Sequence, residues 1–197
     1  MRIVIQEFIS LDGVVQAPGM PDEDRDGGFE HGGWSMPFFD PEVMGPEIDG
    51  ALQRTDAIMQ GGRTWRVMAA AWPGRAGDPF ADKLNSIQKY VVSDTVTDAE
   101  LATWAPTERI PVADLPTRVR ELRDQPGGDI NVMGSASLVR GLIAADLVDE
   151  LFLMIEPVVL GGGKRIWDDG GAKKTFELTS SVTTGTGVQV CRYQRTR

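Results

Sequence analysis

Four short runs rich in β-branched residues, at 2–9, 56–60, 89–92 and 130–133, each stop abruptly at glycine, serine or aspartate. Helical patterns lie between them, at 46–54, from Gly62 onward, at 78–87 and at 115–125, and another follows at 138–145. Parallel strands need long crossovers, usually helical, whereas tight turns join antiparallel ones, so this alternation predicts a mainly parallel sheet covered by helices. The end of the chain reads differently. A long apolar strand at 148–160, interrupted by Glu156-Pro157, meets the turn Gly161-Gly162-Gly163 and is followed by strands at 174–184 and 187–195 with no helix between them. That pattern predicts a C-terminal antiparallel hairpin. No internal repeat or second linker divides the 197 residues, so a single domain is expected over 1–197.

Charge and residue absences remove several classes of function. The 29 acidic residues exceed the 20 basic ones, giving a formal charge of −9. A field of that sign repels polyphosphate, and no basic cluster interrupts it, so nucleic acid is not an expected partner. No apolar run approaches membrane-spanning length, and Glu7 follows the start too closely for a secretory leader, so a cytoplasmic, non-membrane protein is expected. Cys191 is the single cysteine and His31 the single histidine. An internal disulfide and a multi-histidine metal site are therefore impossible, and no metal is expected.

Residues 16–41 do not fit the alternation. They hold five glycines, four prolines, the acidic run Asp22-Glu23-Asp24-Arg25-Asp26 and the aromatics Phe29, Trp34, Phe38 and Phe39. A connection this long inside a compact domain is usually functional. It reads as a lid or pocket wall, with a dimer-contact arm as the alternative.

Two strand-to-helix junctions share one construction. Gln60-Gly61-Gly62-Arg63-Thr64 and Met133-Gly134-Ser135-Ala136-Ser137 each end a strand in glycine and open a helix with small or hydroxyl residues. Helix N-termini present unpaired N–H groups and partial positive charge, which suits an anion. Arg63 adds a forked donor, and Thr64, Ser135 and Ser137 add hydroxyls. Ordinary βα turns remain the alternative. Gly161-Gly162-Gly163-Lys164-Arg165 lacks the P-loop spacing, and no G-x-G-x-x-G is present.

Ser10-Leu-Asp-Gly-Val14, Gly62-Arg-Thr-Trp65, Lys89-Tyr-Val-Val-Ser93, Gly134-Ser-Ala-Ser-Leu138 and Glu156-Pro-Val-Val-Leu-Gly-Gly-Gly-Lys-Arg-Ile-Trp167 occur in one order across nearly the whole chain. Together they resemble the dihydrofolate-reductase-like superfamily, specifically stand-alone relatives of the reductase domain of the bifunctional riboflavin-biosynthesis deaminase-reductase. The resemblance implies a three-layer α/β/α fold and an NAD(P)H-dependent reductase acting on a small pterin- or pyrimidine-like heterocycle. It implies that Gly13, Val14 and Val15 line the nicotinamide side, that Gly62, Arg63 and Thr64 meet phosphates, and that Met133, Gly134, Ser135, Ala136 and Ser137 meet the pyrophosphate. Ser93 is placed near the adenosine ribose. Asp12 and Glu156 are placed on the substrate side, and independently of the resemblance Trp34, in the long loop, is the tryptophan expected to touch the substrate.

NADPH is the implied cofactor. Asp94 stands where relatives often carry a phosphate-binding residue, and a carboxylate there opposes a 2′-phosphate, which keeps NADH open. Gly134-Ser135 replaces a doublet of glycines, which argues against unusual peptide geometry. For proton donation, Asp12 and Glu47 are the catalytic candidates, with Asp49 beside Glu47; a turn residue and helix-start acids are the alternatives. Trp65, Trp104 and Trp167 read as packing residues. Two rival functions stay open: reduction of 5-amino-6-(5-phosphoribosylamino)uracil, with Lys164 and Arg165 as its phosphate site or else a solvated turn, and a non-catalytic nucleotide-binding protein. A homodimer is expected through the 148–160 run and the hairpin.

Overall fold

The computed structural model describes residues 1–75, 77–167 and 170–196. Its strands are β1 (Arg2–Ser10), β2 (Thr55–Gly61), β3 (Gln88–Val92), β4 (Thr107–Ile110), β5 (Asp129–Val132), β6 (Glu150–Glu156), β7 (Phe176–Thr183) and β8 (Gln189–Arg195). They form one sheet in the order β4-β3-β2-β5-β1-β6-β8-β7. The six strands from β4 to β6 run parallel; β8 is antiparallel to β6, and β7 to β8. The helices are α1 (Pro41–Gln53), α2 (Gly62–Ala71), α3 (Pro79–Ser86), α4 (Asp98–Leu101), α5 (Leu115–Arg123) and α6 (Ala136–Ala144).

Alternating strand residues sort the helices onto the two faces. Ile3, Ile5 and Ile9 of β1, with Ile130, Val132, Leu151 and Leu153, pack against Leu115, Val119 and Leu122 of α5 and Leu138, Val139 and Leu142 of α6. On the opposite face Val4, Phe152 and Met154 meet Met44 and Ala51 of α1, while Ile58 and Val91 meet Leu52, Trp65 and Leu84. This is the expected three-layer α/β/α arrangement with its antiparallel hairpin.

Four local readings change. The helix expected at 46–54 begins at Pro41, because Asp40 accepts hydrogen bonds from the N–H groups of Glu42 and Val43; Pro46 then lies inside it. The strand expected at 148–160 ends at Glu156, since Pro157 has no N–H for the ladder. It is an interior strand of the sheet, so within the 148–160 run the exposed apolar surface is at Val159, beyond the strand; the outer strand is β7, with Leu178 and Val182 open to solvent. The short edge strand β4 and the helix α4 had no apolar periodicity to announce them.

The chain crosses the β5–β1 boundary in opposite senses. From β1 it passes over one face through α1 to β2, and from β5 it passes over the other through α6 to β6. Ligands in open α/β sheets bind at the carboxyl ends of the strands where the order reverses in this way.

Candidate functional site

The two glycine junctions meet at this crevice. Gly61 N–H donates to the Gly134 carbonyl at 3.1 Å, so the turns before α2 and α6 are bonded to each other. They fit so closely that a Cβ on Gly61 would collide with the Ser135 side chain, and one on Gly134 would sit 2.9 Å from Thr64 Oγ1. Contrary to the expectation from Ser135, the Gly134–Ser135 peptide is cis. Helices α1, α3 and α4 are capped by Asp40, Asp78 and Thr97, but Gly61 and Ser135 make no side-chain cap bond. The first-turn amides of α2 and α6 therefore lack the side-chain acceptor those helices carry. Around them, Arg63 and Ser137 are exposed, Gly62, Thr64, Met133 and Ser135 are half-buried, and Ala136 is in the core.

Ser93 lies beside this junction: a Cβ on Gly62 would meet Ser93 Oγ at 2.7 Å. Its hydroxyl accepts from the N–H groups of Thr95 and Val96, and Asp94 accepts from Val112 N–H at 3.0 Å. Gly13 closes the other edge, with φ +82° and a would-be Cβ 2.9 Å from Trp167 Cδ1. Glycine is required there on both counts. The Val14 and Val15 side chains turn inward, into the loop core and the main core respectively.

Glu7 was missed by the sequence reading. Alternation places it on the face of Ile3, Ile5 and Ile9, and its carboxylate accepts from Gly134 N–H at 2.9 Å. Burial pushes its pKa up to about 8, against the lowering pull of that N–H, and the charge of Glu23 adds to the rise. The signal was in the pattern: an acid at an inward position of an otherwise apolar strand.

Several expected site residues do other work. The Asp12 carboxylate accepts from Ser10 Oγ (2.7 Å), the N–H groups of Leu160 (3.1 Å) and Gly161 (3.0 Å), and the Arg165 guanidinium (2.9 Å). Burial opposes ionisation, but these donors outweigh it and hold the acid well below the usual carboxylate range. A group so fixed in its ionised form is no proton donor; Asp12 ties the end of β1 to the loop after β6. Glu47 faces Arg192 at 3.5 Å, over the middle of β8 and away from the strand ends. The adjacent Asp49 is exposed on the same helix. Neither is placed for catalysis.

Trp34 is 7% exposed, donates its indole N–H to the Gln16 carbonyl, and packs with Val14, Ala17 and Phe29 into a small core of the long loop. It is a packing residue, whereas Trp167, expected to pack, is 45% exposed over Gly13. Lys164 and Arg165 are not a solvated turn: Lys164 pairs with Asp24 and Asp26, and Arg165 with Asp12.

Glu156 is fully buried at the end of β6, level with Ser10. Ser35 Oγ donates to one of its oxygens at 2.6 Å, and the other has no partner among the described residues. Burial raises its pKa to about 7, against the lowering effect of Ser35. It is thus a carboxyl near its point of half-protonation at neutral pH. On the same sheet face, Asn131 donates to Gln6 at 2.6 Å, and both polar atoms of the buried Gln60 amide lack partners among the described residues. Three polar strand residues in mid-sheet depart from apolar packing and mark this face as built for more than stability.

The profile of the RibD C-terminal domain family matches residues 2–190. The chain belongs to this family. A relative from Bacillus subtilis (strain 168), the uncharacterized protein YyaP, is 28% identical over 193 residues, covering 95% of this chain and 91% of YyaP. Among solved structures, a putative riboflavin biosynthesis protein from Shewanella sp. PV-4 superposes with a TM-score of 0.72 at 16% identity, with both chains covered in full. A pyrimidine reductase-like protein from Corynebacterium diphtheriae NCTC gives 0.61 at 15% identity, over 100% of this chain and 92% of that one. A diaminohydroxyphosphoribosylaminopyrimidine deaminase/5-amino-6-(5-phosphoribosylamino)uracil reductase from Thermotoga maritima gives 0.65 at 11% identity. That match covers 99% of this chain and 56% of the longer protein. These likenesses show the fold, which is dihydrofolate-reductase-like.

Proposed function

We propose that this chain is a reductase that binds a reduced nicotinamide dinucleotide across the β5–β1 crevice and reduces a small pterin- or pyrimidine-like heterocycle. The observation that carries the reading is the direct bond between the two junctions, Gly61 N–H to Gly134 O, which sets two helix N-termini without side-chain caps side by side. The amides of Gly62, Arg63 and Thr64 and those of Ala136 and Ser137, with the hydroxyls of Thr64, Ser135 and Ser137, would hold the phosphates. Glu7, neutral at pH 7, adds no charge against a diphosphate. Gly13, Val14 and Val15 would border the nicotinamide, and Ser93 the ribose. The bound dinucleotide supplies the hydride. The chain supplies orientation and, at Glu156, a carboxyl able to hold or release a proton near neutral pH.

NADPH leads and NADH is the alternative, because the exposed Asp94 stands next to Ser93 and would oppose a 2′-phosphate. Reduction of a phosphoribosylated pyrimidine is the second reading, favoured by family membership. Its basic candidates Lys164 and Arg165 are paired with Asp24 and Asp12, so a substrate phosphate would have to displace a carboxylate at either. A homodimer through β7 and a cytoplasmic location complete the proposal. Fluorescence titration with NADPH and NADH, then loss of nicotinamide absorbance with candidate heterocycles, tests it. Saturable binding with oxidation is expected. Binding without oxidation of any substrate favours a non-catalytic protein, and no binding removes the reading.

A further inference from the structure

The tip of the long loop is tied across the mouth of the crevice by a ring of four charges. Asp24 Oδ1 lies 2.7 Å from Arg63 Nη1 and Asp24 Oδ2 2.7 Å from Lys164 Nζ. A single oxygen, Asp26 Oδ2, lies 3.0 Å from Arg63 Nη1 and 2.8 Å from Lys164 Nζ. Two cations from distant parts of the chain thus converge on one oxygen atom, the arrangement that a phosphate oxygen would also satisfy. Gln16 fixes the backbone behind them. Its Nε2 donates to the carbonyls of Asp24 and Asp26, and its Oε1 accepts from Lys164 N–H.

The base of the loop is held by apolar packing and its tip by these ion pairs and the Gln16 hydrogen bonds. Ala17, Phe29 and Trp34 bury the base. The tip ends in Gly27 and Gly28, both at positive φ, with nothing within 4 Å of a Cβ at either position. Gly28 N–H donates to the Arg25 carbonyl, a bond within the tip itself, and the open space around both glycines lets them absorb a backbone swing. A cavity of about 460 Å³ adjoins the ring, lined in part by Gln16, Asp26, Gly27, Gly28 and Lys164.

We propose that Arg63 and Lys164 form a two-cation phosphate-binding site, and that Asp24 and Asp26 are built-in surrogate ligands that a phosphate group must displace. This rests on the crevice being a nucleotide site only for the identity of the phosphate's carrier. The phosphate belongs either to the dinucleotide or to a phosphorylated substrate. Binding opens the strap, and loss of phosphate lets it return.

The test compares wild type with Asp24→Asn/Asp26→Asn, titrated with inorganic pyrophosphate, NADPH, NADH and ribose 5-phosphate at one ionic strength. Hydrogen exchange of residues 22–28 is followed in the wild type. The account expects the variant to bind pyrophosphate at least tenfold more tightly. It also expects exchange at 22–28 to rise when pyrophosphate is added to wild type, and Lys164→Gln to abolish the gain. Unchanged or weaker pyrophosphate affinity in the variant, or slower exchange at the tip, overturns it. If pyrophosphate and ribose 5-phosphate show the gain but neither dinucleotide binds either protein, the strap stands and the dinucleotide reading falls. If NADPH and NADH bind both proteins equally and pyrophosphate shows no gain, the reading stands and the strap falls.

Discussion

Replacing Glu7 by glutamine tests whether a neutral carboxyl lies under the crevice. Glutamine keeps the carbonyl that accepts from Gly134 N–H and removes only the ability to ionise. In the folded protein the Glu7 pKa rises from 4.5 to about 8, chiefly through burial. Because the folded value is the higher one, the fold favours the protonated form. This contribution is fully present below the unfolded value and is lost as pH rises through about 8. Complete ionisation then costs roughly 3–5 kcal/mol. Glu156, raised to about 7, adds a fall of the same sign in wild type and variant alike. Urea unfolding at intervals from pH 5 to pH 9 gives the two curves. They should nearly coincide at pH 5 and separate steadily, with Glu7→Gln the more stable at pH 9 by several kcal/mol. A difference that stays constant across the range would refute the burial argument and the neutral crevice with it.

Arg63→Ala should weaken dinucleotide binding by about 1–3 kcal/mol, the loss of one charged hydrogen bond, measured by fluorescence titration at fixed salt. Asp94→Arg should raise the NADPH-over-NADH preference several-fold; an unchanged ratio of dissociation constants means that position does not face the 2′-phosphate. Glu156→Gln should leave dinucleotide affinity within about twofold and lower turnover at least a hundredfold, removing the limb of the pH–rate profile near 7. A variant that turns over normally transfers the proton role elsewhere.

Periodicity and punctuation made the sheet legible. Apolar runs ending in glycine marked β2 and β5, and the pattern of 187–195 marked β8. The edge strand β4 escaped because Ile110 is its one buried residue, and Thr107, Glu108 and Arg109 carry no apolar alternation. The start of α1 escaped because its cap, Asp40, sits among turn-forming residues that read as loop. At the site, the two junctions could be found from composition, since glycine followed by small hydroxyl residues is a local signal. The functions of single acids could not. Asp12 and Glu156 look alike in sequence, but long-range partners fix one as an anion and burial raises the other. The burial of Trp34 and the exposure of Trp167 were hidden for a similar reason: which indole faces solvent depends on the loop's own core, assembled from residues apart in the chain. The ion pairs of Arg63 and Lys164 likewise span the chain, and spacing alone does not reveal them.

The most direct test is a crystal structure of the chain grown with NADPH. The account predicts a pyrophosphate within hydrogen-bond distance of the backbone amides at both Gly62–Thr64 and Ala136–Ser137. A dinucleotide bound away from these turns, or touching only one of them, would contradict it.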